Sequence, residues 1–426
     1  MGTPMSRLKS LWIALCVSLL TLTGCGRPVG SGIAPAAESS ATSLAVRTAK
    51  RHVVSATTQG ENWDRIERLT HTAKQFPDEN SRPNGRQREA ELIKAFGTAN
   101  PPSRDVLLHY ARGWKSGKGT PVLLVHGVMV DANTSWHDPH GKEGLAPYLS
   151  AKGKRVFALT FAHRHGDNLL WAEQIAQAIV RIREVTGAES VDLVAHSKGT
   201  VAARALVSGV RHAWMTPYSK DVRRLVLLGG PHLGLDFPFR HPLVNYGLYP
   251  EQDDRLRNAP LSWTKMLVMG RWIDTSPLTL MTDAGNFFPG QSQLLHRWDD
   301  VYPLPMVEQD WYTTYHGGQG FVSVSAGIDK AIAQGGHFIS RLRQNPVDSG
   351  VTLAVLAGEK PDLAGVLNET TGPSDGVVFV KSATHTADMT RAGAKLLSSD
   401  VLKLNHMELI YAPQAKSWLQ DVLDRP

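Results

Sequence analysis

Apolar and polar positions along the chain fall into two alternating rhythms. Six short runs are apolar almost throughout: "PVLLVHG" (121–127), "RVFALTF" (155–161), "VDLVAHS" (191–197), "RRLVLLGG" (223–230), "VTLAVLAG" (351–358) and "VLKLNH" (401–406). Each predicts a strand buried on both faces. Between them run longer stretches with a helical period, as where Ile175, Ile179, Ile182 and Val185 share one side while Arg181, Arg183 and Glu184 fall on the other. A short helix is expected over 86–96 and an early strand over 106–110. Strands alternating with helices predict an α/β fold class with a mostly parallel, doubly wound sheet. In such a sheet ligands bind beyond the carboxyl ends of the strands, so the residues that follow each run are the ones to weigh.

Two regions break the rhythm. Residues 236–345 carry Phe237, Phe239, Trp263, Trp272, Phe287, Phe288, Trp298 and Trp311, and are too long for a connecting loop. They predict an inserted subdomain whose aromatics form either its own core or a cap over an apolar substrate. From Gly26 to about Gly60 the chain is rich in Gly, Ala, Ser and Thr without period, which predicts a flexible tether. Ahead of it, Arg7 and Lys9 precede an apolar run too short to span a bilayer, the pattern of a signal peptide. That run ends in "LTGC" (22–25), which resembles the lipobox of bacterial lipoproteins and implies a lipidated Cys25. The alternative is conventional secretion with Cys25 an ordinary residue. The expected division is therefore 1–24 signal peptide, 25–60 tether, 61–235 first part of the core, 236–345 cap, and 346–426 second part of the core.

Charge and cysteine content narrow the chemistry. The net charge of +7 is spread along the chain without a basic run, so no nucleic-acid partner is expected, and a mild attraction to anionic membrane surfaces is. Of the two cysteines, Cys16 lies inside the signal peptide, which leaves the mature body no thiol for a disulfide or a nucleophile.

A serine nucleophile remains, and it needs a base, an orienting acid and oxyanion donors. Two strings compete for it. "GPSDG" (372–376) has polar "NETT" before it and the strand-like "VVFV" after it, the reverse of a strand-to-helix elbow. "VDLVAHSKGT" (191–200) has a strand before the serine and a helix-forming "GTVAARALVSG" after it, so Ser197 is the expected nucleophile. Ala195 stands where glycine is favoured, at the cost of one methyl. His406 follows the last run and gives the chain order nucleophile, acid, base, with His385 as the alternative base.

These segments resemble the small bacterial lipases of the α/β-hydrolase fold whose elbow reads Ala-His-Ser-x-Gly. The likeness runs through "PVLLVHGV", "LVAHSKG", "GGPHLGL", "PGQSQLL" and "SDGVV", and is weak across the tether and most of the insertion. It implies a triad of Ser197, Asp375 and His406, with Asp362 and Asp388 as other possible acids. It also implies oxyanion donors at the backbone N–H of Val128 and of Lys198, the latter where Met or Gln is common. No cofactor and no metal are expected, although some such lipases bind zinc or calcium near the site. The His137, Asp138, His140 cluster and the His163, His165 pair fit no trusted ligand spacing. The expected function is ester hydrolysis on lipid-like substrates by an envelope protein anchored through Cys25, on the outer membrane if the source is Gram-negative. An acyltransferase or a polyester depolymerase would use the same triad, and a non-enzymatic lipid-binding protein is the reading from a different class.

Overall fold

A computed structural model describes residues 51–79, 87–241, 289–304, 315–319, 324–325, 327–362, 369 and 371–426. The apolar runs form the centre of a nine-stranded sheet. Its strands are β1 (His52–Thr58), β2 (Arg65–His71), β3 (Asp105–Tyr110), β4 (Lys118–Val125), β5 (Lys154–Phe161), β6 (Val191–His196), β7 (Val222–Leu228), β8 (Thr352–Gly358) and β9 (Lys395–Leu402). Their spatial order is β1-β2-β3-β5-β4-β6-β7-β8-β9. From β5 to β9 neighbours pair in parallel, while β1, β2, β3 and β5 pair antiparallel.

Successive side chains of a strand point to opposite faces, so an all-apolar strand feeds two cores at once. In β4, Leu123 and Val125 join one cluster and Val122 and Leu124 the other. The first cluster is roofed by α3 (Asn168–Thr186) and α4 (Lys198–Val207), the second by α1 (Ala90–Phe96), α2 (Leu145–Ala151) and the C-terminal helix α5 (Pro413–Asp424). Ile175, Ile179 and Ile182 are fully buried on the apolar side of α3. Each such side chain contributes roughly 1.5–3 kcal/mol by leaving water.

Two expectations need correction. The tether does not extend to residue 60, because His52–Thr58 is a strand that, after buried His52, alternates between exposed and half-buried positions and whose ladder with β2 carries a bulge between Val54 and Ala56. Its polar, half-buried composition is that of an edge strand, which the absence of an apolar run conceals. The last strand is not 401–406 but Lys395–Leu402, at the far edge, where polar residues such as Ser398, Ser399 and Asp400 are tolerated.

Of residues 236–345, positions 236–241, 289–304, 315–319, 324–325 and 327–345 are described. Phe239 and Trp298 are buried there, with the Trp298 indole donating to the Gly234 carbonyl at 3.2 Å. Asp236 pairs with Arg240 at 2.8 Å and accepts from the Tyr315 hydroxyl at 2.7 Å. Trp263, Trp272, Phe287, Phe288 and Trp311 lie outside the described residues, as do Cys25 and the signal peptide. Among the described residues no helix is long and apolar enough to cross a membrane.

Candidate active site

Strand β6 ends at His196 and α4 starts at Lys198, leaving Ser197 alone to make the turn. It does so at φ 53° and ψ −130°, a conformation that non-glycine residues adopt only when their surroundings enforce it. The Ser197 N–H donates to the Leu228 carbonyl at 3.0 Å, tying the elbow to the end of β7. The serine is 7% exposed, so its hydroxyl sits in a recess.

Asp375 and His406, the expected acid and base, meet at the same strand ends. Asp375 is fully buried in the loop after β8, and its Oδ2 lies 2.7 Å from His406 Nδ1. Its Oδ1 accepts from the N–H groups of Val377 (3.0 Å) and Val378 (2.8 Å), which fixes the carboxylate plane. The backbone adds a further tie, the His406 N–H donating to the Asp375 carbonyl at 2.8 Å. Gly229, next to the Leu228 that holds Ser197, packs on the pair: a Cβ there would stand 3.2 Å from both Asp375 Oδ2 and His406 Nδ1.

The other candidates lie elsewhere. His385 pairs with Asp388 at 2.9 Å, and Asp388 also takes Arg343 at 2.8 Å, a half-exposed cluster of its own. Asp362 pairs with Lys360 at 3.4 Å. "GPSDG" is the loop that carries Asp375, with Ser374 bonded to the Gly376 N–H at 3.0 Å. Among the described residues no group of three or more His, Cys, Asp or Glu is arranged to hold a metal ion.

The loop after β4 lies against the serine. A Cβ on Gly127 would be 2.8 Å from Ser197 Cβ, so only glycine lets this backbone approach. His126 locks the turn: its Nδ1 lies 2.6 Å from the Gly127 carbonyl and its Nε2 accepts from the Phe161 N–H at 3.3 Å. Burial pushes the His126 imidazole down to about 3, so it is a neutral strut. Val128 follows, half-buried, while Lys198 is wholly buried at the start of α4.

One supporting residue had no separate signal in the sequence. His196 Nε2 donates to the His406 carbonyl at 3.0 Å, and the two rings stand 4.6 Å apart. Burial keeps His196 well below the ordinary imidazole range, and the neutral ring holds the His406 loop from the strand side.

The strand order, the strained serine between β6 and α4, and the acid and histidine after β8 and β9 together define the architecture. The fold is that of the α/β-hydrolases. Residues 97–241 match the model of a domain of unknown function, DUF7379. Among solved structures, the chain is similar to the mature lipase BlEst2 of Bacillus licheniformis, at 17% identity, covering 71% of this chain and 91% of that one with a TM-score of 0.40. It is similar also to the lin2722 product of Listeria innocua, at 14% identity, 72% and 95% coverage and a TM-score of 0.38. An alpha/beta hydrolase fold protein from Burkholderia ambifaria shows 15% identity, 75% and 94% coverage and a TM-score of 0.35.

Proposed function

We propose that this protein is a serine hydrolase of carboxylic esters, lipase or esterase in type. The observation that carries the reading is the 2.7 Å bond between His406 Nδ1 and buried Asp375, set beside a serine in a strained strand-to-helix turn. With Nδ1 engaged by the acid, proton exchange falls to Nε2. His406 takes the Ser197 proton as Oγ attacks the ester carbonyl, and the N–H groups of Val128 and Lys198 receive the oxyanion. The alcohol leaves with that proton, and water, deprotonated by the same histidine, releases the acid from the acyl-enzyme.

The proposal includes an anchor at lipidated Cys25. Pairing of His52 with His71, Thr70 with Asp105 and Val106 with Phe161 puts the start of β1 at the carboxyl edge of the parallel strands, the edge that bears Ser197. A tether entering there holds the recess near the surface that supplies lipid esters.

The test is hydrolysis of esters of increasing acyl length by wild type and Ser197→Ala, both expressed with their leader. Turnover lost on the order of 10⁴-fold or more in the variant is expected. Ser197-independent turnover, or none on any ester, overturns the reading. Membrane sedimentation that Cys25→Ser abolishes supports the anchor, and unchanged sedimentation overturns it.

A further inference from the structure

The side chain of Lys198 is the least expected group near the serine. It is fully buried, and its Nζ finds no hydrogen-bond acceptor among the described residues. A buried ammonium without an acceptor is costly and calls for a role. Its Nζ stands 3.1 Å from the centroid of the Trp171 ring, a close cation–π contact. Trp171 in turn stacks on Phe161 at 3.8 Å and meets the His126 ring edge-on at 5.2 Å. The lysine is thus connected through aromatic contacts to the loop that carries Val128.

The insertion closes over it. Gly290 donates to the His165 carbonyl at 3.0 Å and accepts from Asn168 Nδ2 at 2.8 Å, while Gln293 bonds Asp167 and Asn168. A Cβ on Gly290 would fall on Lys198 Cε and on the Gly166 carbonyl, so the lysine stem and this backbone share one tight space. Two carboxylates face the ammonium, Glu79 and Asp167, and the imidazoles of His126 and His165 feel its charge. Asp78 acts on Glu79, and His163, Arg164 and Arg88 act on His165. Burial drives the lysine well below the usual ammonium range, and the two carboxylates oppose that drift. Burial and Asp167 push Glu79 up to about 8.

Resting on the ester-hydrolase reading, we propose that Lys198 is a positioning residue of the oxyanion site, its ammonium fixing the first turn of α4 on Trp171 and lending the nascent oxyanion a nearby positive charge. A lysine at full stretch reaches roughly 6–7 Å from its own backbone nitrogen. The charge therefore stands within about 10 Å of an oxygen bound to that nitrogen, close enough to change a rate on the order of tenfold. Its effect is confined to the charged transition state, so it belongs to kcat and not to KM.

The experiment is a pH profile of kcat and KM for wild type, Lys198→Met and Asp167→Asn, with Ser197→Ala as the blank. Methionine keeps the apolar stem and removes the charge. The expected result is a kcat lower on the order of tenfold in Lys198→Met with KM within about twofold. An alkaline limb of kcat, where the ammonium loses its proton, should be absent from that variant. In Asp167→Asn, where a counter-charge is gone, the limb should move to lower pH. A Lys198→Met profile that superimposes on wild type, or a loss carried by KM alone, overturns the role. If Lys198→Met does not fold, an unmoved limb in Asp167→Asn overturns it equally. Absence of Ser197-dependent turnover in wild type defeats the ester-hydrolase reading itself, and the role with it.

Discussion

Ser197 holds a backbone conformation that costs of the order of 1–3 kcal/mol, and its neighbours show what sustains it. Its N–H is bonded to β7, the Gly127 backbone presses on its side chain, and helix α4 begins with the next residue. The same over-determination applies to Asp375, which accepts two backbone N–H bonds besides the imidazole. Asn at this position would keep the shape while presenting an amide to Nδ1, which favours the wrong tautomer of His406. Asp375→Asn is therefore expected to lower kcat on the order of 10⁴-fold with little change in the unfolding midpoint, as read from ester turnover beside a thermal melt. A fall of less than tenfold would mean that another carboxylate orients the histidine. His196 belongs to this scale as well, since nothing in the spacing of "AHS" announces that its ring carries the carbonyl of a residue 210 positions away.

Between elements, the decisive contacts join the insertion to the core. Asp167 caps α3 through Oδ1, accepting from Leu169 at 2.7 Å and Leu170 at 3.3 Å, and offers Oδ2 to Gln293 of the insertion. One side chain thus ends a loop, starts a helix and binds Gln293, from the stretch expected to be inserted. Asp167→Ala is expected to cost about 1–2 kcal/mol in urea denaturation with an unchanged slope, and Asp167→Asn much less, because asparagine still caps. Equal losses in the two variants would assign the effect to charge and not to the cap. Within that stretch the buried Asp236, Arg240 and Tyr315 hold one another, and burial raises the Asp236 carboxyl despite its arginine partner.

Across the whole molecule, the interior stores neutral histidines. Burial holds His109 and His126 down to about 3, and His165, His196 and His232 lie well below the ordinary value of 6.5. The unfolded chain protonates each of them near 6.5, so below that pH it binds more protons than the native state and stability is lost as pH falls. For His109 and His126 the window runs from 6.5 down to about 3, at up to about 1.4 kcal/mol per histidine per pH unit. Glu79 works in the opposite sense: its folded value of about 8 against 4.5 makes its contribution full below 4.5 and lost as pH rises through 8. Burial also raises Glu89, Asp105, Asp221 and Asp236, by less than Glu79, and these carboxyls do not offset five imidazoles above pH 5. The urea midpoint is expected to drop steadily from pH 7 to pH 5, and a flat midpoint over that interval would show that these rings stay protonated in the native state.

Legibility followed burial. Central strands announce themselves because both faces must be apolar, and Leu123, Leu193 and Leu225 are fully buried in the strands their runs predicted. The edges escaped: β1 and the true course of β9 carry polar residues that solvent permits, so neither interrupts or extends an apolar run. Local order likewise put Ser197 between a strand and a helix, and chain order put an acid and a histidine after the later strands. Which acid and which histidine was a question of distance, and only the folded chain sets Asp375 against His406 while joining Asp388 to His385 and to Arg343. The sequence alone determined the α/β alternation and the strand-to-helix turn at Ser197, because these depend on residue type and spacing within one segment. The tertiary structure alone decided the pairing of acid and base, the hold of His196 on His406 and the burial of Lys198 under Gly290, because each is a contact between segments that no local pattern encodes.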